Sequence, residues 1–353
     1  MKNFTIKLGI WIFLVGLLLA SCTIQSSQRN LSDYFTNTDS GIQNGNVKMI
    51  TITTPKGDFK VWTKRFGYNP TLKVLLLHGG PGATHEYFEC FENFLPAEGI
   101  EFIYYNQLGS AYSDQPGDTS LWSLDRFVDE VEQVRKALNL NRENCIVLGH
   151  SWGGWLAIEY ALKYQENLKG LILSNTMASS PDYDRYAKEV LAKQMDPGVL
   201  DTLRRLEAKG DYGNPKYMEL LIPHYYQAHI CRLPIEEWPE PFLRSFKKMN
   251  SEIYTIMQGP TEFGIGGKLK LWDRKSEIKK LTLPVLTIGA KHDTMDPDHL
   301  QWIADEVQSG SFLYCSRGSH MAMYDDQQTY FQGLIKFLKA VDKGDLVVGF
   351  ESE

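Results

Sequence analysis

The sequence predicts an α/β fold in which a mostly parallel sheet is covered by helices on both faces and interrupted by an inserted helical cap. Three observations carry this expectation. Apolar runs without alternation, such as Lys73-Val74-Leu75-Leu76-Leu77 and Cys145-Ile146-Val147-Leu148, mark strands buried on both faces. Helix-spaced apolar residues separate them, giving the order strand, helix, strand, helix, strand, which demands right-handed crossovers. From about Met177 to Trp272 buried-strand runs stop, and they resume at Pro284.

The elements follow in chain order. Val47 to Thr53 and Phe59 to Lys64 alternate apolar and polar residues around Pro55-Lys56-Gly57-Asp58, a β-hairpin. The Lys73 strand comes next, then Phe102-Ile103-Tyr104-Tyr105. Phe127, Val131, Val134 and Leu138 recur at helical spacing before the Cys145 strand. A helix from Trp155 to Lys163 and the strand Leu171-Ile172-Leu173-Ser174 follow. The interval up to Trp272 is helical and aromatic, with Tyr183, Tyr186, Tyr225, Tyr226, Phe242, Phe246 and Tyr254 among its rings. Pro284 to Gly289 and Phe312 to Cys315 return to the sheet, and Phe331, Leu334, Ile335 and Leu338 mark a closing helix. The resulting division is 1–21 leader, 22–45 tether, 46–176 with 273–345 core domain, and 177–272 cap domain.

Chemistry concentrates at strand ends. Gly149-His150-Ser151-Trp152-Gly153-Gly154 lies between the Cys145 strand and the helix. A serine flanked by glycines two residues away, in a strand-turn-helix setting, is a nucleophile elbow: side chains at the glycines would collide in so tight a turn. Ser151 is therefore the candidate nucleophile. Its hydroxyl needs a base, and the base needs an orienting carboxylate. In a sheet of this kind those partners follow in the order serine, acid, histidine, each after a strand. Asp293 follows the strand ending at Gly289, and His320 follows the strand ending at Cys315. Asp296 and Asp298 fit better at the start of a helix after Pro297, where acids suit the dipole. His292 and His299 precede the last strand, and His150 and His78 fit structural hydrogen bonding. The loop His78-Gly79-Gly80-Pro81-Gly82 can turn backbone amides inward. The expected oxyanion donors are the backbone N–H groups of Gly80 and Trp152, leaving the Trp152 side chain available to pack against substrate.

Charge and composition narrow the partners. The 353 residues carry a formal net charge of -6 without long charged runs, which leaves no electrostatic footprint for nucleic acid. Lys2 and Lys7, the uncharged run Leu8 to Leu19, and Leu19-Ala20-Ser21-Cys22 form a secretory leader whose end resembles the bacterial lipobox, with Cys22 as the lipidated residue. The expectation is an exported lipoprotein, anchored to a membrane through Cys22, periplasmic or at the cell surface, on a polar tether. Cys90, Cys145, Cys231 and Cys315 lack C-x-x-C spacing and read as packed free thiols. His224, His229 and Cys231 match no standard metal spacing and read as cap packing. The chemistry requires no metal and no cofactor.

Taken together, His78-Gly79-Gly80-Pro81-Gly82, Tyr105-Asn106-Gln107-Leu108-Gly109-Ser110, Gly149-His150-Ser151-Trp152-Gly153-Gly154, Gly259-Pro260-Thr261-Glu262-Phe263 and Gly318-Ser319-His320 resemble the prolyl iminopeptidase family of α/β-hydrolases, especially the branch containing the tricorn-interacting aminopeptidase. The resemblance runs from about Val47 to Ala340. It implies an α/β-hydrolase fold and a serine exopeptidase releasing an N-terminal residue, preferentially proline, from short peptides with a free N-terminus. It further implies that Glu262 holds the substrate α-amine, a group largely cationic at neutral pH with a pKa of about 7.7–8.0. Two positions depart from the family pattern. Thr294 stands where a second glutamate commonly follows the catalytic aspartate, and Asn106 where an aspartate is usual. The missing acid keeps a carboxylesterase or lactonase on the same scaffold as the alternative, with Asp296 as the residue that would compensate.

Overall fold

The computed structural model describes residues 42–345. The leader, Cys22 and the tether up to residue 41 lie outside the described residues. Among the described residues nine strands form one sheet: β1 (Ile42–Gln43), β2 (Val47–Thr54), β3 (Gly57–Phe66), β4 (Lys73–Leu77), β5 (Glu101–Asn106), β6 (Cys145–His150), β7 (Gly170–Ser174), β8 (Pro284–Ala290) and β9 (Ser309–Cys315). Their spatial order is β1-β2-β3-β5-β4-β6-β7-β8-β9. Pairing is antiparallel from β1 to β5 and parallel from β5 onward. β1 corrects the tether boundary: Ile42 and Gln43 pair with Lys48 and Val47, so the polar segment 22–45 ends inside the sheet. A left-handed Gly45, φ 76°, turns the chain between them.

The parallel strands are buried on both faces because alternate side chains enter two different cores. Leu75, Leu77, Val147, Leu171 and Leu173 pack with α1 (Leu124–Ala137) and α2 (Trp152–Tyr164). Val74, Leu76, Ile146, Leu148 and Ile172 pack on the opposite side, with the closing helix and part of the cap. Leu148 is fully buried, so Leu148→Ala would remove about 2–5 kcal/mol. The four cysteines among the described residues are buried free thiols.

The sheet is interrupted between β7 and β8, where the described chain holds no strand. The longer α-helices there are α3 (Ser180–Tyr186), α4 (Pro197–Ala208), α5 (Pro215–Leu221), α6 (Glu240–Lys247) and α7 (Ser251–Met257). The neck of this insertion is zipped: Ser180 N–H donates to Trp272 O at 2.8 Å and Arg274 N–H to Ala178 O at 2.8 Å. The chain then completes the sheet with β8 and β9, on which α8 (Pro297–Glu306) and α9 (Gln327–Lys343) pack. No helix among the described residues is long and apolar enough to cross a membrane.

Candidate active site

β6 delivers Ser151 to the carboxyl edge of the sheet with φ 57° and ψ -126°, a conformation rare for a side-chain-bearing residue. The glycines explain how the turn closes. A Cβ at Gly149 would run into the Gly153 carbonyl, and one at Gly153 into Leu77 O. Ser151 N–H donates to Ser174 O at 3.1 Å, and Thr176 Oγ1 donates to Ser151 O at 2.9 Å, so neighbouring loops hold the strained residue. α2 begins at Trp152, so the serine sits at the positive end of the helix dipole.

The loop after β4 supplies the facing wall. Gly79 lies so near the serine that a Cβ there would be 2.9 Å from Ser151 Cβ. Gly80 adopts φ 107°, and a Cβ would be 2.6 Å from Ala83 N, so the turn requires glycine. The Gly79 N–H is engaged by Tyr87 Oη at 2.6 Å, whereas the Gly80 and Trp152 amides donate to no backbone carbonyl among the described residues. The Trp152 indole corrects the expectation that it meets substrate. It is buried, its Nε1 donates to Gln107 Oε1 at 3.0 Å, and it packs edge-on against Phe127.

Asp293 and His320, from loops after β8 and β9, meet at 2.7 Å between Oδ1 and Nδ1. The other ring nitrogen, Nε2, is thereby left for a second partner. Met295 N–H donates to Asp293 Oδ1 at 3.0 Å, and Asn175 Nδ2 to Oδ2 at 2.7 Å. Asp293 is fully buried and His320 is nearly so. Burial disfavours the charged imidazole, but the Asp293 carboxylate, with Glu262 farther off, outweighs it and raises the His320 pKa above 6.5. Cap residues brace this base: His320 N–H donates to His229 O at 3.0 Å and Met321 N–H to Ile230 O at 2.8 Å.

Ser151, His320, Gly80 and Glu262 line one cavity, whose remaining wall is largely apolar, with Ile230, Phe242, Phe246 and Met249 from the cap. Glu262 approaches from the cap, partly buried. Its Oε1 accepts from Tyr254 Oη at 2.6 Å, while Tyr183 Oη donates to the Glu262 backbone carbonyl at 2.6 Å and lies 3.4 Å from Oε2. Burial pushes its pKa above 4.5 despite the His320 ring and the two hydroxyls, which act the other way. A carboxylate in an apolar recess with spare acceptor capacity is suited to a cationic group.

The remaining candidates take structural places. Asp296 caps α8, accepting from Asp298 N–H at 3.0 Å, and does not line the cavity. Thr294 is buried with its hydroxyl 3.3 Å from Asp293 Oδ1 and 3.4 Å from His320 Nδ1, so it faces the imidazole-carboxylate pair rather than Glu262. Asn106 Oδ1 accepts from His85 N–H at 3.1 Å, while its Nδ2 is buried without a partner among the described residues. His78 accepts Gln107 N–H at Nε2, 3.1 Å, and burial lowers its pKa to about 4. His299 Nε2 meets Ala178 N–H at 3.0 Å. His229 Nδ1 lies 2.9 Å from His292 O, while His224 is exposed. Sequence reasoning missed Asn175, Tyr87, Tyr183 and Tyr254. Asn175 carried a usable signal, since it directly follows a central parallel strand.

A serine raised on this turn, at this edge of such a sheet, defines an α/β-hydrolase, and the model of the alpha/beta hydrolase fold matches residues 73–326. The proline iminopeptidase of Flavobacterium johnsoniae is 60% identical over 294 residues, which cover 83% of this chain and 98% of the relative. The proline iminopeptidase of Elizabethkingia meningoseptica is 60% identical over 296 residues, covering 83% and 98%. Among solved structures, the proline iminopeptidase of Mycobacterium smegmatis superposes with a TM-score of 0.73 at 29% identity, covering 83% of this chain and 99% of that one. The chain belongs to the proline iminopeptidase family of α/β-hydrolases.

Proposed function

We propose that the protein is a serine exopeptidase that releases an N-terminal residue, preferentially proline, from short peptides. The reading is carried by one observation: a cavity that holds a serine and a carboxylate-paired imidazole at one end and a tyrosine-held carboxylate, Glu262, on its cap side. In this reading Glu262 takes the substrate ammonium, which orients the first carbonyl toward Ser151. His320 Nε2 accepts the Ser151 proton as Oγ attacks, and Asp293 steadies the imidazolium. The Gly80 and Trp152 amides stabilise the oxyanion, and losing one such donor typically lowers turnover about 10²–10³-fold. The proton then passes to the leaving nitrogen, the C–N bond breaks, and water releases the acyl group by the reverse proton path. Identity at 60% with two named proline iminopeptidases supports this substrate class.

Comparing prolyl-, alanyl- and N-acetylprolyl-arylamides with p-nitrophenyl esters tests it. The expected outcome is fast prolyl-arylamide cleavage abolished by N-acetylation. Ester hydrolysis without any preference for a free amine would instead assign a carboxylesterase. The sequence through Cys22 supports an exported, lipid-anchored form, which fractionation of the wild type against Cys22→Ala would test.

A further inference from the structure

We propose that Tyr87 and His150 form a hydrogen-bonded brace that fixes the distance between the oxyanion loop and the loop carrying His320, making both positioning residues. The inference rests on the serine-hydrolase reading of this cavity but not on proline as the substrate. Three contacts in series define it. Gly79 N–H donates to Tyr87 Oη at 2.6 Å, Tyr87 Oη lies 3.2 Å from His150 Nδ1, and His150 Nε2 lies 2.9 Å from His320 O.

The ends of this series determine its proton order. An amide N–H at Gly79 can only donate, and a carbonyl at His320 can only accept. The Tyr87 oxygen therefore accepts from Gly79 and sends its own proton to His150 Nδ1, which places the ring hydrogen on Nε2, facing His320 O. One arrangement satisfies all three bonds, and it needs a neutral imidazole. Burial, aided by the nearby His320 ring, depresses the His150 pKa well below the ordinary value, so the ring is neutral. Both side chains are almost wholly buried, and their ring centroids lie 5.2 Å apart, which leaves little freedom for either. What they connect is specific: Gly79 abuts Ser151 and precedes the Gly80 amide, and the residue at the other end is the base itself. A displacement of one loop against the other changes oxyanion geometry and proton-transfer geometry together.

The experiment uses the purified full chain with Tyr87→Phe, His150→Phe, His150→Gln and the double Tyr87→Phe/His150→Phe, assayed on prolyl-arylamide and on a p-nitrophenyl ester. Breaking the brace is expected to lower kcat about 10²-fold on both substrates with KM within about twofold, because a misplacement near 1 Å has that scale of effect. The double variant should lose no more than the worse single, as residues of one chain of contacts are non-additive. His150→Gln should recover at least about tenfold over His150→Phe, because glutamine can still donate to the His320 carbonyl. Wild-type kcat in Tyr87→Phe, or losses that multiply in the double variant, would overturn the brace. Should Tyr87→Phe not fold, equal kcat in His150→Gln and His150→Phe overturns it just as well. Activity surviving in Ser151→Ala would instead sink the serine reading, a distinct result.

Discussion

Asn175 Nδ2 stands 2.7 Å from Asp293 Oδ2, while His320 occupies the other carboxylate oxygen. The same amide reaches Ser319 O at 3.2 Å, so one side chain ties the acid to the residue preceding the base. Asn175 itself sits at φ 50°, in a region that asparagine tolerates better than most residues. Asn175→Ala leaves a buried carboxylate oxygen short of a donor, a deficit of about 1–3 kcal/mol. The expected result is a loss of about 10-fold or more in kcat/KM, equal on arylamide and ester, with a lower Tm. An unchanged kcat/KM would show that the acid needs no such tether.

The His320 pKa is raised, so the ring stays protonated and unable to accept the serine proton until the pH passes above 6.5. The acid limb of kcat/KM is therefore expected to have its midpoint above that ordinary value, with activity lost as pH falls through it. Asp293→Asn removes the opposing anion and lets burial dominate. The midpoint should then move down, with kcat reduced about 10⁴-fold. A pH-rate profile whose midpoint does not move would deny Asp293 this influence.

Glu262 should act on the substrate's charge and little on chemistry at the carbonyl. Glu262→Gln keeps its size and the ability to accept from Tyr254, so folding should be preserved. A buried ammonium without its anion loses about 3–5 kcal/mol, which corresponds to roughly 10²–10³-fold or more in kcat/KM on prolyl-arylamide. Neutral ester hydrolysis should change by less than about threefold. Equal losses on the two substrates would remove Glu262 from that role. Tyr254→Phe, which takes away the 2.6 Å bond to Oε1, should raise KM for the free-amine substrate less severely.

The cap grips the 3₁₀ segment that follows the oxyanion loop through an ion pair of unequal exposure, fully buried Glu86 with Lys248 at 2.6 Å. Ser245 Oγ and Thr84 Oγ1, 3.0 Å apart, extend the contact. Because Lys248 is 40% exposed, solvent screening discounts the pair well below a fully buried one. Lys248→Met is expected to destabilise by about 1–2 kcal/mol, a Tm decrease of about 3–6 °C. Scanning calorimetry that finds no decrease would show that Glu86 is satisfied from Thr84 alone.

The legible parts of this molecule are those where one physical requirement dominates composition. β4 is visible as Lys73–Leu77 because a strand covered on both faces tolerates little but apolar residues. Ser151 is visible because the turn excludes every side chain at Gly149 and Gly153. Less legible is β1, because two residues are too few to show any period. The 3₁₀ segment His85–Asn93, which carries Tyr87 and Glu86, was equally opaque, since three residues per turn blur the apolar spacing of an α-helix. Tyr183 and Tyr254 read only as aromatic cap packing, because their hydroxyl partner Glu262 is distant from Tyr183 in sequence and is reached only when the insertion folds back.

The carbonyls of His229 and Ile230 hold the amides of His320 and Met321, and those carbonyls belong to the inserted segment. Substrate choice and proton transfer are therefore not separable modules in this chain. A foreign cap grafted between β7 and β8 would have to bring equivalent acceptors at the same two points, or the transplanted enzyme would lose its base along with its old preference.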